Sequence, residues 1–325
     1  MNPPTIFFSN GRLRPIWRFF LSVVATIITV IALQVLLGLA MGVAGVPPKF
    51  FLSNALSALL TFPALLGVFA LFARVFEKKP LGSTGIALCG RWGKELATGL
   101  AVGALMILAV AALEGALGAA RFSWGEEGLQ PLLLWGGGLC VVLAFAATNE
   151  EMVFRGYPFQ RLIDSIGAAG AIILLSVLFG AIHLGNPNRT WVSTANTALV
   201  GIPFSIAYLR TRMLWLPIGM HFAWNFVQGF VLGLPVSGVS VPVSLLRAEV
   251  TGGRLLTGGD YGPEGGLLAT GVVVLATGYL AFSKSIYVSE DTRALVFGPA
   301  DSAEPETIAL KITESPDHSG PAVPE

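Results

Sequence analysis

The sequence predicts an all-α polytopic membrane protein with about eight transmembrane helices. Hydrophobic residues make up 54% of its 325 residues and charged residues only 12%, about half the charged share that is usual in soluble domains. Apolar runs long enough to cross a bilayer as helices recur along the chain. In addition, Lys and Arg are concentrated in every second connection between these runs.

Eight apolar segments are predicted to span the membrane, and polar or Gly- and Pro-rich residues between them mark their ends. In chain order they cover residues 19–43, 51–72, 96–119, 132–154, 168–184, 191–209, 214–234 and 266–282. These segments are predicted to form one domain over residues 1–283. The tail, residues 284–325, is acidic, rich in Pro and poor in large apolar residues. We therefore predict that this tail is disordered.

The distribution of basic residues predicts that both termini lie in the cytoplasm. With eight crossings, and with the tail beyond Lys284 left out, thirteen Lys and Arg residues fall in inner segments and five in outer loops. Cytoplasmic segments of membrane proteins carry such an excess. The short loops favour a bacterial inner membrane. The net charge of +1 and the lack of a basic block give no indication of a nucleic-acid partner.

The fourth predicted span ends in two acids and an Arg after an uncharged run over residues 132–147. Ionised carboxylates are costly at membrane depth unless they are paired or face a polar cavity. Glu151 and Arg155 are four residues apart and share a helix face, which predicts that they pair. Glu150 points about 100° away from Glu151, which leaves it free for chemistry. The alternative is an ordinary helix end that meets the lipid headgroups.

Two of the three histidines lie in later spans. Phe179 lies one helical turn before His183, and His221 and Asn225 are spaced i and i+4 on one face. Each pattern alone is typical of packing or of interhelical hydrogen bonds. If the three spans converge, however, they form a polar cavity with a base for water and donors for an oxyanion.

The same side chains are also candidate metal ligands. Glu150, His183 and His221 could hold a divalent ion, most plausibly Zn²⁺, with an open position for water. The residues are equally compatible with a metal-free mechanism, and the sequence leaves both open. The His-Glu-x-x-His motif of soluble zinc proteases is absent.

The predicted depths of Glu150 and His183 in the membrane argue against their lying in one site. His183 lies about 15 residues into its span, nearer the outer surface, whereas Glu150 lies about one turn from the inner surface. Either the fifth span starts later and is tilted, or Gly167 and Gly170 mark a break where it begins.

Taken together, these motifs resemble the CPBP family of intramembrane proteases, which includes the type II CAAX prenyl endopeptidases and bacterial bacteriocin-processing and immunity-associated homologues. The family pattern is Glu-Glu-x-x-x-Arg, then Phe-x-x-x-His, then His-x-x-x-Asn or Asp on successive membrane helices. All three parts occur here in this order, within about residues 132–230. The matching positions are Glu150, Glu151 and Arg155, then Phe179 and His183, then His221 and Asn225.

This resemblance implies an eight-helix intramembrane endopeptidase that acts on a membrane-associated peptide or protein. It implies catalytic roles for Glu150, Glu151, His183, His221 and Asn225, with structural support from Arg155 and Phe179. In that scheme Glu150 and His183 activate water, and His221 and Asn225 stabilise the oxyanion. Members of the family are commonly described as metalloproteases, so Zn²⁺ is a candidate cofactor bound by Glu150, His183 and His221.

Two other classes of function are compatible with parts of the pattern. A non-catalytic membrane scaffold or immunity-type protein could retain the same fold, although all the polar motif positions are present here. A transporter or proton channel could use the acids and histidines as a relay. Such proteins often contain paired, repeated halves, and the sequence shows no repeat and only one cluster of acids in its apolar segments.

Overall fold

The computed structural model describes residues 6–9, 11–45 and 50–298, and most of this length is helical. Two short hairpin strands, β1 (Phe8–Ser9) and β2 (Arg12–Leu13), precede the first helix. The helices of the described residues are α1 (Pro15–Val43), α2 (Phe50–Phe72), α3 (Trp92–Ala116), α4 (Leu129–Arg155), α5 (Tyr157–Ile182), α6 (Trp191–Thr211), α7 (Trp215–Phe226), α8 (Arg254–Thr257), α9 (Leu267–Phe282) and α10 (Glu290–Phe297).

The predicted class, a helical polytopic membrane protein, is confirmed. Each predicted span falls on an apolar helix. Within the described residues, five stretches are long and apolar enough to cross a membrane: Pro15–Val43, Phe51–Glu77, Trp92–Ala116, Leu129–Gly185 and Trp191–Thr211. The count of eight is not established, because α9 is shorter and α7 has only 12 residues before a π-helical turn, Val227–Val231.

Contacts between helix ends show which ends of the helices lie together. At one end, Glu77 follows α2 and receives Arg18 of α1 at 2.8 Å and Arg161 of α5 at 2.7 Å. At the other end, β3 (Ala120–Trp124) follows α3 and pairs antiparallel with β4 (Leu246–Val250), which lies between α7 and α9. The charged cluster around Glu77 and the β3–β4 ribbon therefore mark opposite ends of the helical bundle.

Glycines let α7 lie unusually close to α3. A Cβ atom on Gly99 would lie 2.2 Å from the carbonyl oxygen of Leu216, and one on Gly103 would lie 2.2 Å from that of Met220. Small residues permit such backbone approach between membrane helices. A larger side chain at either position would push α7 away from α3, and α7 carries His221.

A break in α5 resolves the depth problem raised by the sequence. Gly167 has φ 77° and ψ 167°, which is not helical, and it divides α5 into two segments. The first segment lies at the charged end of the bundle, where Arg161 contacts Glu77. The second runs to Ile182 and leads directly into a 3₁₀ turn at His183. The predicted break therefore occurs at Gly167, whereas Gly170 lies in regular helix.

The predicted disorder of the tail is wrong for its first part, because α10 forms over Glu290–Phe297. The Ser289 hydroxyl caps this helix by accepting a hydrogen bond from the Thr292 amide at 3.3 Å. The ammonium of Lys79 also donates to the Val296 carbonyl. The cap and this contact with the α2–α3 connection stabilise α10, although its segment of the chain is polar. Residues 299–325, which include His318, lie outside the described part of the chain.

Candidate active site

A cavity of about 590 Å³ lies between the helices, and four of the five predicted catalytic residues line it, as does Phe179. Glu150 reaches it from α4, His183 from the end of α5, and His221 and Asn225 from α7. The convergence that the sequence predicted is therefore present in the structure. Glu151 does not line the cavity; it is fully buried behind it.

Glu151 links two helices through one carboxylate oxygen. Its Oε1 accepts a hydrogen bond from Arg155 Nη1 at 3.2 Å, so the predicted pair on one face of α4 is present. The same oxygen lies 2.9 Å from Nδ1 of His221 on α7. The sequence did not predict this second contact, since it assigned Glu151 to Arg155 alone. Glu151 therefore fixes the position of α7 and of the His221 ring.

Arg155 is also fully buried, and aromatic rings surround its guanidinium group. The guanidinium carbon lies 4.7 Å from the Phe179 ring centre and 5.3 Å from that of Phe204. Its Nη2 donates to the carbonyl oxygen of Gly201 on α6 at 3.2 Å. Together with Glu151, these contacts compensate the desolvation of the charge. Arg155 thus joins α4, α5 and α6 beneath the cavity.

Two contacts hold the His221 ring in place. Because a carboxylate only accepts hydrogen bonds, the contact with Glu151 places a proton on Nδ1. The ring stacks on Phe204 with a centroid separation of 5.2 Å and an interplanar angle of 20°. Its second nitrogen, Nε2, lies 3.9 Å from Glu150 Oε2. The histidine therefore presents Nε2 towards the Glu150 carboxylate.

Glu150 is the least constrained of the motif acids. Its side chain is 36% exposed, whereas that of Glu151 is 0% exposed. Its Oε2 atom is buried near His221 Nε2 and accepts no hydrogen bond from the described residues. The side chain lines the cavity, so its carboxylate group can bind a water molecule or a substrate group there.

His183 and Asn225 complete the polar lining contributed by the motif. The contact of 2.7 Å between His183 Nδ1 and the carbonyl oxygen of Phe179 places the proton on Nδ1 and leaves Nε2 as an acceptor. Phe179 lies between the two histidines, with ring separations of 4.8 Å to His183 and 6.2 Å to His221. Asn225 lies one turn beyond His221, and its amide forms no hydrogen bond within the described residues.

These residues lie inside a segment that other proteins share. Residues 131–227 match the family model "Type II CAAX prenyl endopeptidase Rce1-like". The resemblance inferred from the three motifs is therefore confirmed for this Rce1-like segment. It extends from α4 through the first residue of the π-helical turn after α7, and it contains Glu150, His183, His221 and Asn225.

A curated protein of Bacillus subtilis (strain 168), named "Putative membrane peptidase YdiL", is 29% identical over 112 residues. The alignment covers 34% of this chain and 41% of the relative, so the two share less than half of their lengths. No solved structure is significantly similar to the chain.

The candidate metal ligands of the Rce1-like segment do not form a metal-binding cluster in the described structure. Among the described residues, no group of three or more His, Cys, Asp or Glu side chains is arranged so that it could hold a metal ion. Glu150, His183 and His221 line one cavity but do not converge as three ligands. Zinc binding by these residues stays a prediction.

Sequence reasoning missed several residues of the cavity. Phe204 stacks on His221 but comes from an apolar stretch of α6, where nothing distinguishes it from a packing residue. Asn149, beside Glu150, donates to the Ala58 carbonyl of α2 at 2.8 Å and ties the two helices together. Glu264 also lines the cavity. It lies between a Gly- and Pro-rich connection and the last predicted span, and no sequence signal marked it as part of the site.

Proposed function

We propose that this protein is an intramembrane endopeptidase that hydrolyses a peptide bond of a membrane-associated peptide or protein. One observation carries the proposal: an unpaired Glu150 oxygen and the Nε2 atom of a fixed histidine, His221, lie 3.9 Å apart at the wall of one cavity. The match of residues 131–227 to the Rce1-like endopeptidase family supports it. The name of the Bacillus subtilis relative, a membrane peptidase, points the same way.

The first step is activation of water. A water molecule in the cavity can donate one hydrogen bond to the Glu150 carboxylate and the other to the acceptor nitrogen of His183 or His221. As the water oxygen attacks the substrate carbonyl carbon, its proton passes to Glu150. The carbonyl oxygen becomes the oxyanion of a tetrahedral intermediate. When the C–N bond breaks, Glu150 returns the proton to the leaving amine, and the carboxylate is regenerated.

The oxyanion needs donors directed at the place where its charge develops. The Asn225 amide can serve, since it faces the cavity and is not committed to another group. His221 can donate from Nε2 only when its ring carries two protons, because Nδ1–H is already directed at Glu151. Glu151 and Arg155 do not touch the substrate in this scheme. They hold His221 in place.

The location of the site follows from the proposed topology. We place the Glu77 cluster at the cytoplasmic face and the β3–β4 ribbon at the outer face of a bacterial inner membrane. The excess of Lys and Arg in the segments near the Glu77 cluster supports this orientation. Both chain termini are then cytoplasmic.

Metal analysis separates the two mechanisms that the sequence left open. The test compares the metal content of purified wild-type protein with that of His183→Ala and His221→Ala variants. Active protein with far less than one metal ion per chain would support water activation by Glu150 without a metal. About one zinc per chain, lost in both variants, would replace water activation by glutamate alone with a metal-assisted mechanism.

A direct test of the proposal uses protein reconstituted in liposomes with a pool of single-span peptides, analysed by mass spectrometry. We expect wild-type protein to produce defined fragments and the Glu150→Gln variant to produce none. Glu126→Gln is the matched control, because this acid is 83% exposed and does not line the cavity. A biological role that survives Glu150→Gln unchanged would instead identify the protein as a non-catalytic scaffold or immunity-type protein.

A further inference from the structure

The cavity contains a second acid that the proposed mechanism does not use. Glu264 lies in the 3₁₀ turn Pro263–Gly265, which precedes α9 at the β3–β4 end of the bundle. Its side chain lines the same cavity as Glu150. The role inferred for this acid rests on the proposed function, in which the cavity receives a peptide.

The turn that carries Glu264 is held rigidly. Asn196 of α6 donates through Nδ2 to the carbonyl oxygens of Glu264 and Gly266, both at 2.9 Å. Thr270 in turn donates to Asn196 Oδ1 at 2.7 Å, which fixes the orientation of the amide. The preceding Gly262 has φ 102°, and a Cβ there would lie 2.1 Å from the Pro235 carbonyl oxygen. The carboxylate is therefore preorganised, which is the usual requirement for a recognition site.

The groups around the Glu264 carboxylate are neutral. Oε2 accepts a hydrogen bond from Gln228 Nε2 at 2.6 Å, and Oε1 accepts one from the Ser237 amide at 3.3 Å. Within the described residues no Lys, Arg or His forms an ion pair with Glu264. Gln228 is fully buried, and its Oε1 atom has no partner. Acceptors therefore exceed donors here, and a buried carboxylate without a cation is unfavourable.

A cationic donor supplied by the ligand would correct this imbalance. We propose that Glu264 is a specificity-determining residue whose carboxylate binds an ammonium or guanidinium group of the substrate. The group is a Lys or Arg side chain or a free amino terminus at the end of the peptide that reaches the β3–β4 side of the cavity. Glu150 and Glu264 then have different tasks in one cavity: the first acts on the scissile bond, and the second selects the peptide.

The protonation of Glu264 supports this assignment. Burial raises the pKa of its carboxyl group to about 7, although the hydrogen bonds from Gln228 and Ser237 act in the opposite direction. The group therefore titrates near neutral pH when the cavity holds no cation. A bound ammonium group stabilises the ionised form and so gains a charge-assisted hydrogen bond.

The test measures binding rather than turnover, so that it does not depend on catalysis. The Glu150→Gln protein in lipid nanodiscs is titrated with matched fluorescent single-span peptides. In one series Lys replaces norleucine at one position at a time; in a second series the amino terminus is either free or acetylated. We expect one cationic peptide to bind roughly 10- to 100-fold more tightly than its neutral match. The two series distinguish a side chain from an amino terminus.

Adding Glu264→Gln should bring this ratio to within about twofold of unity, because a neutral amide forms a weaker hydrogen bond to a cation. Adding Glu249→Gln should leave the ratio unchanged, since this exposed acid on β4 does not line the cavity.

Equal binding of every cationic and neutral pair to the Glu150→Gln protein would overturn the inference, even if the Glu264 variant did not fold. So would an equal loss of affinity for both peptides on Glu264 substitution. Failure of wild-type protein to cleave the peptide that binds most tightly would contradict the proposed function instead.

Discussion

The Nδ1 atom of His221 lies 2.9 Å from Oε1 of Glu151, and both side chains are buried between α4 and α7. Because of this contact, the two adjacent acids of the motif have different surroundings. Glu151 is enclosed and holds a histidine, whereas Glu150 lines the cavity, and its buried Oε2 atom has no hydrogen-bond partner. The two carboxyl groups are therefore suited to different roles, although they are neighbours in the sequence: Glu151 positions His221, and Glu150 is available for catalysis.

If Glu151 positions His221, replacing it should impair turnover more than substrate binding. The Glu151→Gln variant retains the size of the side chain but loses the charge that holds Nδ1–H. We expect kcat to fall by roughly 100-fold and KM to change little. The pH profile of kcat should also change, which a purely structural role would not produce. An unaltered kcat and pH profile would show that the contact is not needed for catalysis.

Loss of Arg155 should destabilise the fold. Arg155→Ala removes the cation paired with the buried Glu151 carboxylate, which then keeps only its contact with His221; breaking a buried ion pair in this way costs about 3–5 kcal/mol. The free energy of unfolding in detergent measures this effect. The double variant Glu151→Leu/Arg155→Met removes both charges, so we expect it to be more stable than Arg155→Ala but inactive. Wild-type stability of Arg155→Ala would refute the structural role assigned to this pair.

Asn225 should act on the transition state. Removal of an oxyanion donor typically costs about 100-fold or more in kcat, so we expect losses of this size in Asn225→Ala. Steady-state kinetics separate the possible roles. An increase in KM with unchanged kcat would indicate contact with the substrate rather than with the oxyanion.

The motif residues could be predicted from the sequence because each differs from its apolar surroundings. Glu150, Glu151 and Arg155 stand out at the end of an uncharged helix, and the spacing of four residues gave the Glu151–Arg155 pair. The contact of Glu151 with His221 could not be predicted, since it joins α4 to α7 and depends on how α7 packs in the bundle. Glycines at 99 and 103 permit the close approach of α7 to α3, and their effect depends on the facing helix.

Other features depend on tertiary contacts that leave no periodic signal. Phe204 is one of many aromatic residues, and only its stacking on His221 distinguishes it. Glu264 resembles a loop acid, but Asn196, 68 positions away in the sequence, fixes its turn against the cavity. The helix α10 forms in a polar tail because Ser289 caps it. Gly167 was foreseen as a possible break, and its φ of 77° explains why a glycine is needed there.

The preference for a cation at Glu264 should increase with pH. Its pKa of about 7 means that the carboxyl group is largely neutral at pH 5.5 and largely ionised at pH 8.5, while a Lys side chain stays charged. Its hydrogen-bond partners Gln228 and Ser237 do not titrate. Burial, and next the charge of Glu264, raises the pKa of the neighbouring Tyr261, so this phenol stays neutral. We expect the binding ratio of Lys to norleucine peptides to rise between these pH values in the Glu150→Gln protein. A ratio that is constant or falls would contradict the assignment.

The most direct measurement of the central claim follows the oxygen atom of water. Wild-type protein and the Glu150→Gln variant are incubated in liposomes with a cleavable peptide in H₂¹⁸O, and the products are analysed by mass spectrometry. Because Glu150 Oε2 has no hydrogen-bond partner, this substitution should leave the thermal stability unchanged. We expect one ¹⁸O atom in the new carboxyl group formed by wild-type protein, and less than about 1% of that product from the variant. Labelled product formed by Glu150→Gln at the wild-type rate would contradict water activation by Glu150.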